Sequence, residues 1–246
     1  SPGLTATLPL PPAGFTMPLC STVSRFFIAG ALACVTGAVC AAGPDGDAVV
    51  QGFAADVVRS GDAAGMAFAV LDKPSATVTI FDAKGQLVAR SPVLLGQAVG
   101  DVAPPDIGTR PLSKVKPNEK VTSAGRFVTE AGRNHTGEDI VWLDYQQALS
   151  MHRVRNVRGE NRPQRLASPT VADNRISYGC VNMPLSFYDR YIDPLFGKQK
   201  GVVYVLPETQ PLAALFPFTR AGSAALAGAE GAALVGTPSA AATPAR

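Results

Sequence analysis

Histidine and cysteine are both scarce in this chain. Of 246 residues, two are histidine (His135 and His152) and four are cysteine (Cys20, Cys34, Cys40 and Cys180). The cysteines do not fall in the close pairs that a zinc or iron–sulfur site needs, and no glycine-rich loop of the phosphate-cradling kind is present, so neither a paired-cysteine metal site nor a phosphate-binding loop is expected. Charge is nearly balanced: a formal net charge of +3 is too mild to imply nucleic acid as a partner. No internal repeat is visible. Glycine (24) and proline (21), in contrast, are plentiful; they point to many turns and argue against a long helical bundle. With 46% hydrophobic residues in 25.4 kDa, there is room for one medium domain with a buried core, flanked by tails.

Residues 1–42 do not read as part of that domain. From Met17 the chain has one basic residue, Arg25, then an apolar run from Phe26 to Val39 and small residues at Ala41 and Ala42. This is the order of a secretory signal peptide, with residues before Met17 as an upstream extension. Cleavage near Ala41 or Ala42 would deliver the protein to the periplasm. Retention of the run as a membrane anchor is the alternative, because about 20 apolar residues suffice to span a bilayer. Cys20, Cys34 and Cys40 lie in this removable part, which leaves the exported chain one thiol, Cys180. Structural cysteines in an oxidising compartment come in pairs, so a lone one is either a buried small hydrophobe or a reactive group.

Residues 43–65 predict a short lead-in helix, with Val49, Val50, Phe53, Val57 and Val58 at helical spacing, Asp47 as cap and Gly61 beyond the end. Period-two stretches follow: Val78 and Ile80 alternate with threonines, and Gly125–Gly132, Asp139–Tyr145, Ala148–Val154 and Gly201–Pro207 read as further strands. One later helix is expected from Pro184. The fold class is therefore mainly β, a β-sandwich or partly closed barrel with a few short helices, in a domain spanning 66–210. Arg153–Asn174 carries five arginines (Arg153, Arg155, Arg158, Arg162 and Arg165) without steady periodicity and reads as a long loop. Residues 211–246, Ala/Gly-rich after Arg220, read as an unfolded tail.

A thiol attacks as thiolate, and an ordinary cysteine with pKa about 8.5 is mostly protonated at neutral pH. In "ISYGCVNMP", Pro184 suits the first turn of a helix and Asn182 a cap, so a helix amino end near Cys180 would favour ionisation. Gly179 allows close backbone approach, and the N–H groups of Tyr178, Gly179 and Cys180 are candidates to face a developing oxyanion. Ser177 is a candidate to orient the site through its hydroxyl, or is a local turn hydrogen-bonder. Of the two histidines, His152 ends the strand "ALSMH", where it can be held rigidly, whereas His135 sits in a run of turn formers.

These residues resemble the L,D-transpeptidase catalytic domain family (YkuD-like), whose hallmark is an upstream histidine, then Ser/Thr-His-Gly-Cys, then Arg or Asn two residues past the cysteine. Ser177, Gly179, Cys180 and Asn182 match that segment and His152 matches the upstream histidine. "FAVLDKPSATVTIFDAKGQLVARSPVLLGQ" is similar to the family's opening strands, and "VTSAGRFVTEAG" to its Thr-Pro-x-Gly-x-Phe stretch, with Ser123 in place of proline. The likeness covers roughly Met66 to Pro207. Two departures stand out: Tyr178 occupies the place of the family's second histidine, and the interval between His152 and Cys180 is longer than usual, the excess being the arginine-rich loop.

The resemblance implies an exported, monomeric enzyme of peptidoglycan biosynthesis that works without metal or cofactor. His152 takes the Cys180 proton, the thiolate acylates itself on a tetrapeptide stem, and an amine acceptor resolves the thioester. Water as acceptor would make it an L,D-carboxypeptidase or amidase, and a decayed site would make it a wall-binding module. Stem peptides carry carboxylates, which guanidinium groups bind bidentately. Arg175, next to the nucleophile segment, and Asn182 are accordingly expected to contact substrate.

Overall fold

The computed structural model describes residues 44–220. The signal-peptide reading of 1–42 and the unfolded tail after Arg220 lie outside the described residues. The described part opens with helix α1 (Pro44–Ser60), followed by β1 (Phe68–Asp72), β2 (Thr77–Phe81), β3 (Leu87–Pro92) and β4 (Leu95–Gly96). Next come β5 (Gly125–Val128), β6 (Glu130–Arg133), β7 (Asp139–Asp144) and β8 (Leu149–Arg153). Helix α2 (Arg162–Ala167) precedes β9 (Arg175–Ser177) and β10 (Val181–Met183). Helix α3 (Leu185–Phe187) runs on into a π-helical stretch (Tyr188–Gly197), and β11 (Val202–Val205) and α4 (Leu212–Leu215) complete the order.

The strands form an open five-stranded sheet in the order β3-β2-β1-β11-β5, an open four-stranded sheet β10-β8-β7-β6 and a two-stranded pair β4-β9. The fold is thus mainly β with few helices, and no sheet among the described residues closes into a barrel. Strand alternation sorts the side chains. Ala69, Leu71, Val78, Ile80, Val203 and Val205 of the first sheet share one core with Val141, Met151, Val181 and Met183 of the second. Phe68, Val70, Phe81, Val202 and Tyr204 point the other way, against Val50, Phe53, Ala54 and Val57 of α1. The central strands of the first sheet are therefore buried on both faces, which is why "FAVL" and "VVYVL" are continuous apolar runs.

Four expectations are corrected here. Helix α1 begins at Pro44, so Asp47 lies inside it and is ion-paired with Arg90 instead of capping it; Gly61 does follow its end, with φ +70°. Of the apolar residues expected on its inner face, Val49 and Val58 are exposed. Residues 211–220, assigned to the tail by composition, are folded: Phe216 is buried with its ring centroid 5.0 Å from that of Phe53, and the Arg220 N–H donates to Asp56 at 2.9 Å. The expected long loop Arg153–Asn174 contains α2 and a 3-10 turn at Val171–Asn174, so its arginines belong to a packed insertion.

Among the described residues one buried side-chain polar atom lacks a hydrogen-bond partner. Thr79 Oγ1, in β2, is buried without a hydrogen bond. Thr79→Val removes that unpaired hydroxyl at nearly constant shape, and is expected to stabilise the protein by about 1 kcal/mol, read as a higher denaturation midpoint in urea.

Candidate active site

The site is built by the register of two strands. β8 and β10 run parallel, with Asn182 opposite His152 and Met183 opposite Arg153. Because side chains alternate, Met151, Val181 and Met183 enter the core, while Ser150, His152, Cys180 and Asn182 share the opposite face. The fold thereby brings His152 and Cys180 together across the whole insertion. His135, in contrast, is exposed in the turn between β6 and β7.

Cys180 is half-buried and is not in a disulfide. Its Sγ lies 3.3 Å from the carbonyl oxygen of Ala148 and 3.4 Å from Ser150 Oγ, which donates to it. Ala148 holds a left-handed backbone conformation (φ +49°) at the entry to β8, and so turns its carbonyl towards the sulfur. The His152 ring is fixed by its Nδ1–H, donated to the carbonyl of Arg153 at 2.8 Å. That tautomer leaves Nε2 as the nitrogen with a free lone pair. Burial alone would push the thiol up; the neighbouring His152, then the hydroxyl and amide of Ser150, outweigh it and bring the pKa down to about 7. The rate of Cys180 alkylation by iodoacetamide is accordingly expected to rise with pH along a curve with its midpoint near 7, against about 8.5 for a free cysteine.

The source of that depression differs from the expectation. Val181–Met183 is a strand and α3 starts only at Leu185, with Pro184 as its cap. Three extended residues carry the chain about 10 Å, too far for a helix end to act strongly on the sulfur, since the dipole's effect fades within a turn. Asn182 therefore caps no helix. Its side chain is fully buried, accepts from Arg162 Nη1 at 2.9 Å and donates to the Cys180 carbonyl at 3.0 Å. It positions the nucleophile and offers substrate no surface.

The turn ahead of the sulfur is held just as closely. Ser177 Oγ donates to the Cys180 carbonyl at 2.7 Å and accepts from the Gly179 N–H at 3.1 Å. The Gly179 amide is thus occupied, and of the three expected oxyanion donors the N–H groups of Tyr178 and Cys180 remain without a partner among the described residues. Thr122 Oγ1 donates to the Gly179 carbonyl at 2.7 Å and accepts from Gly96 N–H at 2.9 Å. Only glycine suits position 179, where φ is +134° and a Cβ would stand 2.8 Å from the Val121 carbonyl oxygen.

Arg175 is not free for substrate: its guanidinium meets Glu208 at 2.5 Å and the Lys73 carbonyl at 3.1 Å. Four of the insertion's five arginines are engaged in the same way. Arg153 pairs with Asp139 and Asp189, Arg155 with Glu138, Arg162 with Glu160, and Arg165 with Asp173. Tyr178 is partly exposed, and Lys120 Nζ lies 3.9 Å from its ring centroid. A cleft of about 360 Å³ beside α2, lined by Asp72, Ser75, Thr77 and Leu166 among others, is not lined by Cys180 or His152.

Sequence reasoning missed Ser150, Thr122 and Arg162. Ser150 had a signal, since period two in "ALSMH" sets it on the face of His152. Thr122 had none. Among the described residues no group of three or more His, Cys, Asp or Glu side chains could hold a metal ion, and no helix is long and apolar enough to cross a membrane. Compared with known proteins, the chain matches no family model and no curated protein.

Proposed function

We propose that this chain is an L,D-transpeptidase that acts on peptidoglycan stem peptides in the periplasm, with Cys180 as nucleophile and His152 as base, on an L,D-transpeptidase-like scaffold. The observation that carries the reading is the pairing of β8 with β10, which sets a histidine of defined tautomer on the same face as a free thiol of pKa about 7. A buried small hydrophobe would need neither.

In the first step His152 Nε2 accepts the thiol proton and Sγ attacks the carbonyl carbon of the L-to-D peptide bond. The amides of Tyr178 and Cys180 are the available donors for the oxyanion. The C–N bond then breaks, the departing D-amino acid takes the proton from His152, and a thioester remains. An acceptor amine gives its proton to His152 and attacks the thioester. A new amide forms as the thiolate leaves, and the proton returns to sulfur. Incubation of the protein with tetrapeptide muropeptides, followed by mass spectrometry, tests this. Acyl-enzyme plus cross-linked dimer supports transpeptidation, trimmed tripeptide alone would make it a carboxypeptidase, and no Cys180 adduct would overturn both.

A further inference from the structure

If the site acylates itself on stem peptides, something must meet their carboxylates, and Arg175, expected to do so, is paired with Glu208, as most arginines of the insertion are with other acidic groups. Of the five in the insertion only Arg158 lacks one; it is exposed in the turn before α2 and makes no ion pair, hydrogen bond or ring contact among the described residues. Arg175 and Lys73 are tied to Glu208 and Asp101. Lys120 differs from all of these. It is half-buried, its ammonium makes no ion pair or hydrogen bond among the described residues, and its contact is the face of the Tyr178 ring.

The place of that contact is fixed by backbone. The Lys120–Thr122 segment packs directly on the nucleophile turn: the Val121 carbonyl lies against Gly179, Thr122 Oγ1 holds the Gly179 carbonyl, and the Lys120 carbonyl accepts from Ala98 N–H at 3.0 Å. Tyr178 is two residues ahead of Cys180. An ammonium resting on an aromatic face is held by the ring's quadrupole, without committing its N–H donors to an acceptor. It is thus oriented and still able to donate to an incoming anion.

We propose that Lys120, seated on Tyr178, is a carboxylate-recognition residue beside the nucleophile, and that it makes Cys180 selective for anionic acyl donors. The part concerning stem peptides rests on the transpeptidase reading; the part concerning charge does not. Tyr178, in the place of a histidine, acts in this arrangement as the platform for the cation.

Two alkylating reagents of similar size separate the parts. The Cys180 thiolate displaces iodide from both iodoacetate, an anion, and iodoacetamide, which is neutral, so their rate ratio reports local charge with the thiol's own reactivity divided out. Lys120→Met is expected to lower the iodoacetate-to-iodoacetamide ratio on the order of fivefold at low salt, with Lys120→Arg retaining it and the difference shrinking as salt rises. With tetrapeptide stems, the same Met variant is expected to lose about tenfold in kcat/KM for acylation, through KM, when the side-chain carboxylate next to the scissile bond is free, and little when it is amidated. An unchanged reagent ratio in Lys120→Met would overturn the proposal, even with acyl-enzyme formation intact. A changed ratio in a protein that accepts no stem peptide would keep the anion site and remove the transpeptidase reading.

Discussion

His152→Ala slows alkylation of Cys180 at neutral pH and speeds it in alkali, so that the rate profiles of variant and native protein cross. The crossing follows from two opposed effects of one change. In the native site burial, which disfavours the thiolate, is overcome chiefly by His152, and the pKa stands at about 7. Without the imidazole, burial dominates and the pKa rises to about 9 or above, so the thiolate fraction at pH 7 falls from about half to roughly 1%. A more basic thiolate is also a better nucleophile, by about tenfold for two units at a Brønsted slope near 0.45. The net loss with iodoacetamide is then only about fivefold at pH 7, and above pH 9 the variant is the faster. Acyl transfer has no such compensation, because the leaving amine and the acceptor amine both need the proton shuttle; it is expected to fall by a further factor of about 10² to 10⁴. Stopped-flow alkylation from pH 5 to 10, set beside acyl-enzyme formation, measures both. Profiles that run parallel without crossing would show that His152 does not control the thiol.

The crossing also separates the enzyme from an inert scaffold. In a wall-binding module with a decayed site, the ring of His152 would be one more polar group at a strand end, and its removal would leave the thiol profile in place. Ser150 moderates the shift. Its hydroxyl donates to Sγ at 3.4 Å and its amide also favours the thiolate, so in His152→Ala the two offset part of what burial adds.

Legibility in the sequence followed the range of the interactions concerned. β8 was visible because period two is a local pattern, and it held His152 at a strand end; β10 was not, because Val181–Met183 reads as the approach to the helix that Pro184 opens. The helix-end account of the thiol failed for a local reason. Pro184 does open a helix, but Val181, Asn182 and Met183 pair with β8 first, and strand formation there removes Asn182 from the cap and Cys180 from the dipole. Arg153 and Arg155 of the insertion failed for a non-local one. Composition marks them as free cations, whereas Glu138, Asp139 and Asp189, which neutralise Arg155 and Arg153, come from β7, its approach and the π-helical stretch. Ion pairs across such separations leave no trace in spacing. Thr122 belongs to the same class: its two hydrogen bonds reach Gly96 and Gly179, each far along the chain.

Lys73→Met is expected to cost about 3–5 kcal/mol of stability, a large share of the roughly 5–15 kcal/mol that a domain ordinarily has. Lys73 is fully buried, and its ammonium donates to Asp101 at 2.7 Å, to the Gly100 carbonyl at 2.5 Å and to the Thr122 carbonyl at 3.1 Å, with Glu208 at 3.6 Å. Methionine fills the same volume and leaves the buried Asp101 carboxylate without its counter-ion. Burial would push the Asp101 carboxyl up, but Lys73, Thr209 and the N–H groups of Glu208 and Thr209 together hold it well below the usual carboxylate range. The sign for pH follows from that depression. A carboxyl whose folded pKa lies below its unfolded value of about 3.9 contributes stability that is fully present above that value and lost as pH falls through the folded one. The native protein is thus expected to lose stability below about pH 4, and the Met variant to show a shallower acid dependence from a lower starting point, with a melting temperature roughly 10 °C lower at pH 7. The damage reaches the site by a short path. The Thr122 carbonyl is held by Lys73 while the Thr122 hydroxyl holds the Gly179 carbonyl, and Arg175, two residues ahead of Ser177, shares Glu208 with Lys73. Both sides of the nucleophile turn therefore hang on one buried ammonium, and in the folded fraction of Lys73→Met the Cys180 alkylation midpoint should move up from about 7 towards that of a free thiol. A variant as stable as the native protein, with its thiol midpoint unmoved, would show that this cluster is neither a counter-ion site nor a support for the nucleophile.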